Sequence, residues 1–132
     1  MLRGTTQWIV DQGYKTSVIA RNKTDLSHVN WINLNYKNMS QIKIALLESI
    51  KIFGPIELVV SWIHDYAKDT AFEIAKVTSE TSLAPVNFYQ IFGGLTPDSE
   101  DIKKLSNIKY HKIILGSVTT NSGFRWLTNQ EI

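Results

Sequence analysis

The stretch Gly13-Tyr14-Lys15-Thr16-Ser17-Val18-Ile19-Ala20-Arg21-Asn22 constrains the fold more than any other part of the chain. Before it, residues 2–12 place Leu2, Thr5, Trp8, Ile9 and Gln12 at helical spacing, and Gly13 is suited to end that helix with a positive φ. After it, residues 17–20 form a short apolar run of the kind buried on both faces of a parallel sheet. A helix closed by glycine, then a buried strand, then polar residues at its carboxyl end is half of a βαβ unit. In open α/β sheets the carboxyl ends of the strands face the ligand crevice, which makes Arg21 and Asn22 candidate binding residues.

The rest of the chain repeats the theme. Residues 21–29 are polar and loop-like, and 31–35 alternate as a short strand near an edge. Ser40 is placed to cap a helix over 41–53, whose stripe is Ile42, Ala45, Leu46, Ile50 and Phe53, with Ile44 and Leu47 beside it. Gly54-Pro55 ends that helix, and residues 56–63 form the strongest strand. A helix follows from Asp65 or a neighbour to about Val77, with Tyr66, Ala71, Phe72, Ala75 and Ile74 inward. A strand over 86–92 ends at Gly93-Gly94, a short helix or turn covers 97–105, and the last strand covers 110–118. Asn121-Ser122-Gly123 marks a turn. The expected fold is α/β: one Rossmann-like domain over 1–132, a doubly wound and mostly parallel sheet of about five strands.

Both ends look cut. Thr128-Asn129-Gln130-Glu131 is a capping-box pattern that opens a helix, and the chain stops one residue later. At the amino end a first helix has no strand before it. In strand order 3-2-1-4-5-6 that absent strand joins the two halves of the sheet. The sheet is therefore expected to be incomplete, with open edges at 17–20 and 58–62 that recruit a strand from another copy. Either the sheet closes over the gap, or another chain fills it, or the product folds poorly; of these, a homo-oligomer is the expected result.

Composition narrows the function classes. The formal charge is only +2, with acids and bases interspersed and no basic run, so nucleic acid is not expected as a partner. There are no cysteines, which removes disulfide and thiolate chemistry. No apolar run approaches the roughly 18 residues of a membrane span, and no signal peptide is evident. A cytoplasmic protein with no membrane partner is expected.

His28 and His111 have no second ligand at metal spacing, so no metal site is expected. His64, just past a strand's carboxyl end, is a weak candidate for a catalytic acid or for a contact to a cofactor, and Ser61 for a bond to a ribose. Ser117 and Thr119-Thr120 close the last strand, where a small-molecule substrate would lie.

These stretches together resemble the NADP-binding short-chain dehydrogenase/reductases, especially small bacillus-type proteins of that label. Val18-Ile19-Ala20-Arg21-Asn22 is similar to the family's second strand, and Gly54-Pro55-Ile56-Glu57-Leu58-Val59-Val60 to the approach to its fourth. Arg125-Trp126-Leu127-Thr128 and Glu131-Ile132 are similar to a later stretch. The resemblance covers the chain to about Ala67 and again from Leu115. It implies a dinucleotide and a small-molecule carbonyl substrate as ligands. Arg21 at the adenosine ribose suits a 2′-phosphate, so it implies NADP rather than NAD.

The departures bear on activity. The family's glycine-rich phosphate turn would precede Met1, and Ser61-Trp62-Ile63-His64 replaces its asparagine-asparagine-alanine-glycine. Asn35 stands where an acid is usual. No tyrosine has a lysine four residues on: Tyr14, Tyr36, Tyr66, Tyr89 and Tyr110 are followed there by Val18, Ser40, Thr70, Gly93 and Ile114. That lysine tunes the tyrosine that protonates the carbonyl oxygen. The expectation is an NADP-preferring oxidoreductase of weak or absent activity. The alternative is a non-catalytic nucleotide-binding or structural relic that serves as an oligomerisation module.

Overall fold

The computed structural model describes residues 2–23, 25–64, 67–94, 99–128 and 131, with only the backbone of Lys68. Helices and parallel strands alternate along most of the chain, an α/β fold. The order is α1 (Arg3–Asp11), β1 (Thr16–Ala20), β2 (Val29–Asn33), α2 (Met39–Phe53), β3 (Leu58–Ser61), α3 (Lys68–Thr81), β4 (Val86–Phe92), α4 (Glu100–Lys103), β5 (Ile108–Ile114), β6 (Ser117–Thr120) and β7 (Gly123–Trp126).

The parallel strands form two separate sheets, β1-β2 and β3-β4-β5, and β6-β7 is an antiparallel hairpin. Three polar contacts fix how the parallel sheets are placed. The Ser17 hydroxyl, near the start of β1, donates to Ser49 Oγ in the second half of α2, the helix that leads into β3 (3.2 Å). The Tyr36 hydroxyl donates to the Ile19 carbonyl near the end of β1 (3.0 Å). The Tyr36 carbonyl in turn accepts from Thr70, in the first turn of the helix that leaves β3. So β1 starts where β3 starts and ends where β3 ends. The two strands run the same way, with a slot between their facing edges.

The core lies on the other side of this line, around β4. Phe88 packs with Ile42 and Leu46 of α2, and with Ala71, Ile74 and Val77 of α3. Phe88 stands opposite Val59 on one side and Tyr110 on the other, so β4 is the covered central strand of its sheet. β4 occupies residues 86–92 as expected, but the longest paired ladder is β4-β5 rather than the expected strand over 56–63. β3 keeps only Leu58–Ser61, because its pairing to β4 covers no more.

Several boundaries move, each for a physical reason. β2 begins at Val29, not at residue 31, because β1 offers five positions and the parallel register starts with Thr16 opposite Val29. His28, with φ of 63°, turns the chain into it. α3 runs past the expected end at Val77, because the Thr78 hydroxyl bonds back to the Ile74 and Ala75 carbonyls and so stays satisfied while buried. β5 stops at Ile114 rather than 118. Its partner β4 ends there, and the last rung is Leu115 N–H to the Phe92 carbonyl at 2.9 Å. The chain then enters the β6-β7 hairpin, which the polar run Ser117-Val118-Thr119-Thr120 did not reveal. The expected turn at 121–123 closes it, with Gly123 at a φ of +128°.

The helix faces are also narrower than expected. Ile44, Leu47 and Phe53 of α2 are exposed, and so is Phe72 of α3. α4 is shorter than the expected 97–105. The expectations for Asp65, Tyr66 and Pro97 lie outside the described residues. α2 is capped by Asn38, not Ser40. Asn38 Oδ1 accepts from the Gln41 backbone N–H (3.3 Å) and from the Ser40 hydroxyl (3.0 Å). Asn38→Ala is expected to cost about 1 kcal/mol in urea unfolding, and Ser40→Ala clearly less.

At the carboxyl end, the Glu131 carboxylate accepts from the Thr128 backbone N–H (2.8 Å) and hydroxyl (2.9 Å). Arg125 grips the same carboxylate with two bonds, at 2.8 and 2.9 Å. First the guanidinium and then the Thr128 donors pull the Glu131 pKa down from 4.5 to about 2. A lowered carboxyl pKa contributes stability that is complete above the unfolded value and is lost as pH falls from 4.5 to about 2. Carbon-detected NMR titration of Glu131 is expected to give a midpoint near that lower value. Arg125→Ala should return it to the ordinary carboxylate range.

Among the described residues, no helix is long and apolar enough to cross a membrane.

Candidate functional site

The slot between β1 and β3 has a volume of about 920 Å³, within the usual range of small-molecule sites. Its long walls are the two strands. Leu2, Thr5, Thr6 and Ile9 of α1 and its flank also line it, as do Leu46, Ser49 and Phe53 of α2. The α1 positions follow the i, i+3, i+4, i+7 spacing of one helix face. Sequence periodicity predicted this face, but put Trp8 on it. Trp8 is exposed and no α1 residue is fully buried, because the inward face of the helix borders the open slot.

Four candidates from the sequence come together here. Arg21 and Asn22 leave the carboxyl end of β1, Ser61 is the last residue of β3, and His64 follows it; all four line the slot. The convergence follows from topology, because parallel strands bring their carboxyl ends to one rim. Arg21 and Asn22 are exposed. Arg21 makes no ion pair or hydrogen bond with the described residues, and exposed Lys23 stands beside it on the same rim. Ser117 and Thr119, the expected substrate contacts, lie on the hairpin, exposed and outside the slot lining.

The start of α1 opens on the same rim. Arg3 Nη2 meets Asp25 Oδ2 at 2.7 Å, which ties the first turn of α1 to the loop after β1. Leu2 precedes the helix without a side-chain cap, so the first-turn N–H groups have no side-chain acceptor. Sequence reasoning gave no role to Tyr36, which lines the slot and bonds β1 to α3 through its own hydroxyl and carbonyl. Nothing local in the sequence marks it. Asn35, at the position where an acid was expected, spends its side-chain oxygen on the Lys37 N–H (3.0 Å).

The Ser61 hydroxyl is buried with no hydrogen-bond partner among the described residues. Leaving such a group unsatisfied costs about 1–3 kcal/mol. Ser61→Ala is therefore expected to leave stability unchanged or to raise it slightly in urea unfolding, whereas a serine with a bonded partner would lose stability.

No protein family, curated protein or solved structure matches the chain. The resemblance to short-chain dehydrogenases rests on the short stretches 18–22, 54–60 and 125–128 and on Glu131-Ile132.

Proposed function

We propose that this chain is a short-chain-dehydrogenase-like protein that binds NADP(H) at the carboxyl rim of β1 and β3, with weak or no reductase activity of its own. One observation carries the reading: an arginine without a partner among the described residues stands on the same rim as Asn22, Ser61, His64 and the uncapped start of α1. A guanidinium suits the ribose 2′-phosphate, which it meets with charge-assisted bonds. A helix start suits the pyrophosphate. These residues fit the phosphate-bearing end of the cofactor. The cofactor when bound would supply a hydride.

The reacting end fits less well. The Tyr36 hydroxyl bonds to Ile19, and the Tyr110 hydroxyl to Gln90 Oε1 at 3.0 Å. Lys103 lies 5.9 Å from the Tyr110 ring centroid, and neither residue lines the slot. This favours the second reading, a nucleotide-binding domain that catalyses nothing. The proposed setting in either case is the cytoplasm.

Titration with NADPH and NADH, followed by NADPH oxidation against a panel of aldehydes and ketones, tests the proposal. Weak binding that prefers NADPH supports it. Equal affinity for both cofactors overturns it, and turnover of any carbonyl compound overturns the non-catalytic reading.

A further inference from the structure

We infer that Asp25 competes with the cofactor's 2′-phosphate for Arg3, so that an internal carboxylate holds a second phosphate-binding arginine until the ligand takes its place. This rests on the nucleotide reading and deepens it. Arg3 stands in the first turn of α1, and Asp25 in the loop between β1 and β2. Their 2.7 Å contact brings the Arg3 guanidinium to the same loop that carries Arg21 and Lys23. All four residues line the slot, and three of them are cations. Glu57, the only other acid among the described lining residues, precedes β3 and so lies toward the opposite end. Asp25 is thus the single acid on a basic rim.

A carboxylate and a phosphate offer a guanidinium the same fork of anionic oxygens. Asp25 therefore engages Arg3 with a weaker version of the ligand's own chemistry. The carboxylate carries one negative charge, whereas a phosphate monoester carries about 1.5 to 2 at pH 7. The two side chains are 68% and 69% exposed, so water screens the pair and it adds little to stability. Such a contact exchanges readily when a stronger anion arrives.

The exchange bears on affinity. Arg3 gains the phosphate only by giving up Asp25, so in the wild type the two contacts nearly cancel. Arg21 sets the preference for NADPH, and Asp25 withholds the further preference that Arg3 would add. NADH has a hydroxyl at the same position and draws nothing from Arg3. Asp25 therefore tunes affinity for the phosphorylated cofactor alone.

The test uses the whole chain as wild type, as Asp25→Asn, and as the double variant Asp25→Asn with Arg3→Ala. Ligand-observed NMR gives the affinity of each for NADPH and for NADH. Both positions are exposed, so the three proteins should fold alike. Asp25→Asn is expected to tighten NADPH binding about three- to fivefold and to leave NADH binding unchanged. Adding Arg3→Ala is expected to remove that gain. A gain retained in the double variant overturns the proposal, since Asp25 would then act on the ligand by direct repulsion. Equal tightening of NADPH and NADH overturns it too, because the 2′-phosphate would not be the group involved. Unchanged NADPH affinity in Asp25→Asn, beside a wild-type preference for NADPH, overturns it and leaves the nucleotide reading intact. No preference for NADPH in any of the three proteins overturns that reading and this inference together.

Discussion

Phe88→Ala is expected to lower the unfolding free energy by about 3–5 kcal/mol, the largest single-residue loss expected in this chain. Phe88 is fully buried in the central strand β4 and stands opposite Val59 and Tyr110, with α2 and α3 packed on it. A phenyl ring removed there leaves a cavity that three layers of neighbours cannot all close, so the lost transfer energy and the cavity term add. Domains of this size hold only about 5–15 kcal/mol in total. Among the described residues this one leaves the two strand edges that face the slot unpaired, which places it low in that range. The variant should therefore be substantially unfolded in mild urea, with its midpoint lowered and its m-value unchanged. Phe124→Ala is the control. Phe124 is 72% exposed on the hairpin, and its loss should stay within about 0.5 kcal/mol. Similar losses at the two positions would contradict a core centred on β4.

The second large effect concerns binding. Arg21→Ala is expected to weaken NADPH binding about tenfold while leaving NADH binding nearly unchanged, so that the preference disappears. A charge-assisted hydrogen bond contributes about 1.5–3 kcal/mol. Arg21 is exposed, and water screens its charge, so the lower end applies, or about tenfold. The wild-type affinity itself is expected to be weak. Gly4 is the one glycine in the first turn of α1, and a single glycine there does not make a glycine-rich cradle. The helix start must hold the pyrophosphate without it, and each 1.4 kcal/mol lost is about tenfold. Ligand-observed NMR reads affinities in that weak range. Arg21→Lys should recover part of the preference, because it keeps the charge without the planar fork.

Legibility differed along the chain for identifiable reasons. β4 was legible to the residue, since an apolar run stands between Pro85 and Gly93-Gly94 and both punctuate it. The end of α2 at Gly54, with φ of 90°, was legible for the same reason. The ends of β2 and β5 were not, because they depend on where the partner strand begins or runs out, and no local pattern carries that. The last turn of α3 was not legible, because Thr78 is held in the helix by its bonds back to the Ile74 and Ala75 carbonyls rather than by an apolar spacing. The rim at Arg21, Asn22, Ser61 and His64 was legible from one topological rule: parallel strands share a carboxyl end. That rule failed for Ser117 and Thr119, which follow Gly116 into a hairpin of their own. The slot was foreseen as a gap between 17–20 and 58–62. The α1 face turned toward it was only half foreseen, since spacing finds a stripe but not what it faces.

The proposed function stands or falls on whether the carboxyl ends of β1 and β3 make one ligand rim. Backbone amide NMR during addition of NADPH to millimolar concentration decides this residue by residue. The predicted result is shifts confined to Arg21, Asn22, Asp25, Ser61, His64 and the first turn of α1, with none across residues 117–126. Shifts centred on the hairpin, or no shifts anywhere while the protein remains folded, would contradict it.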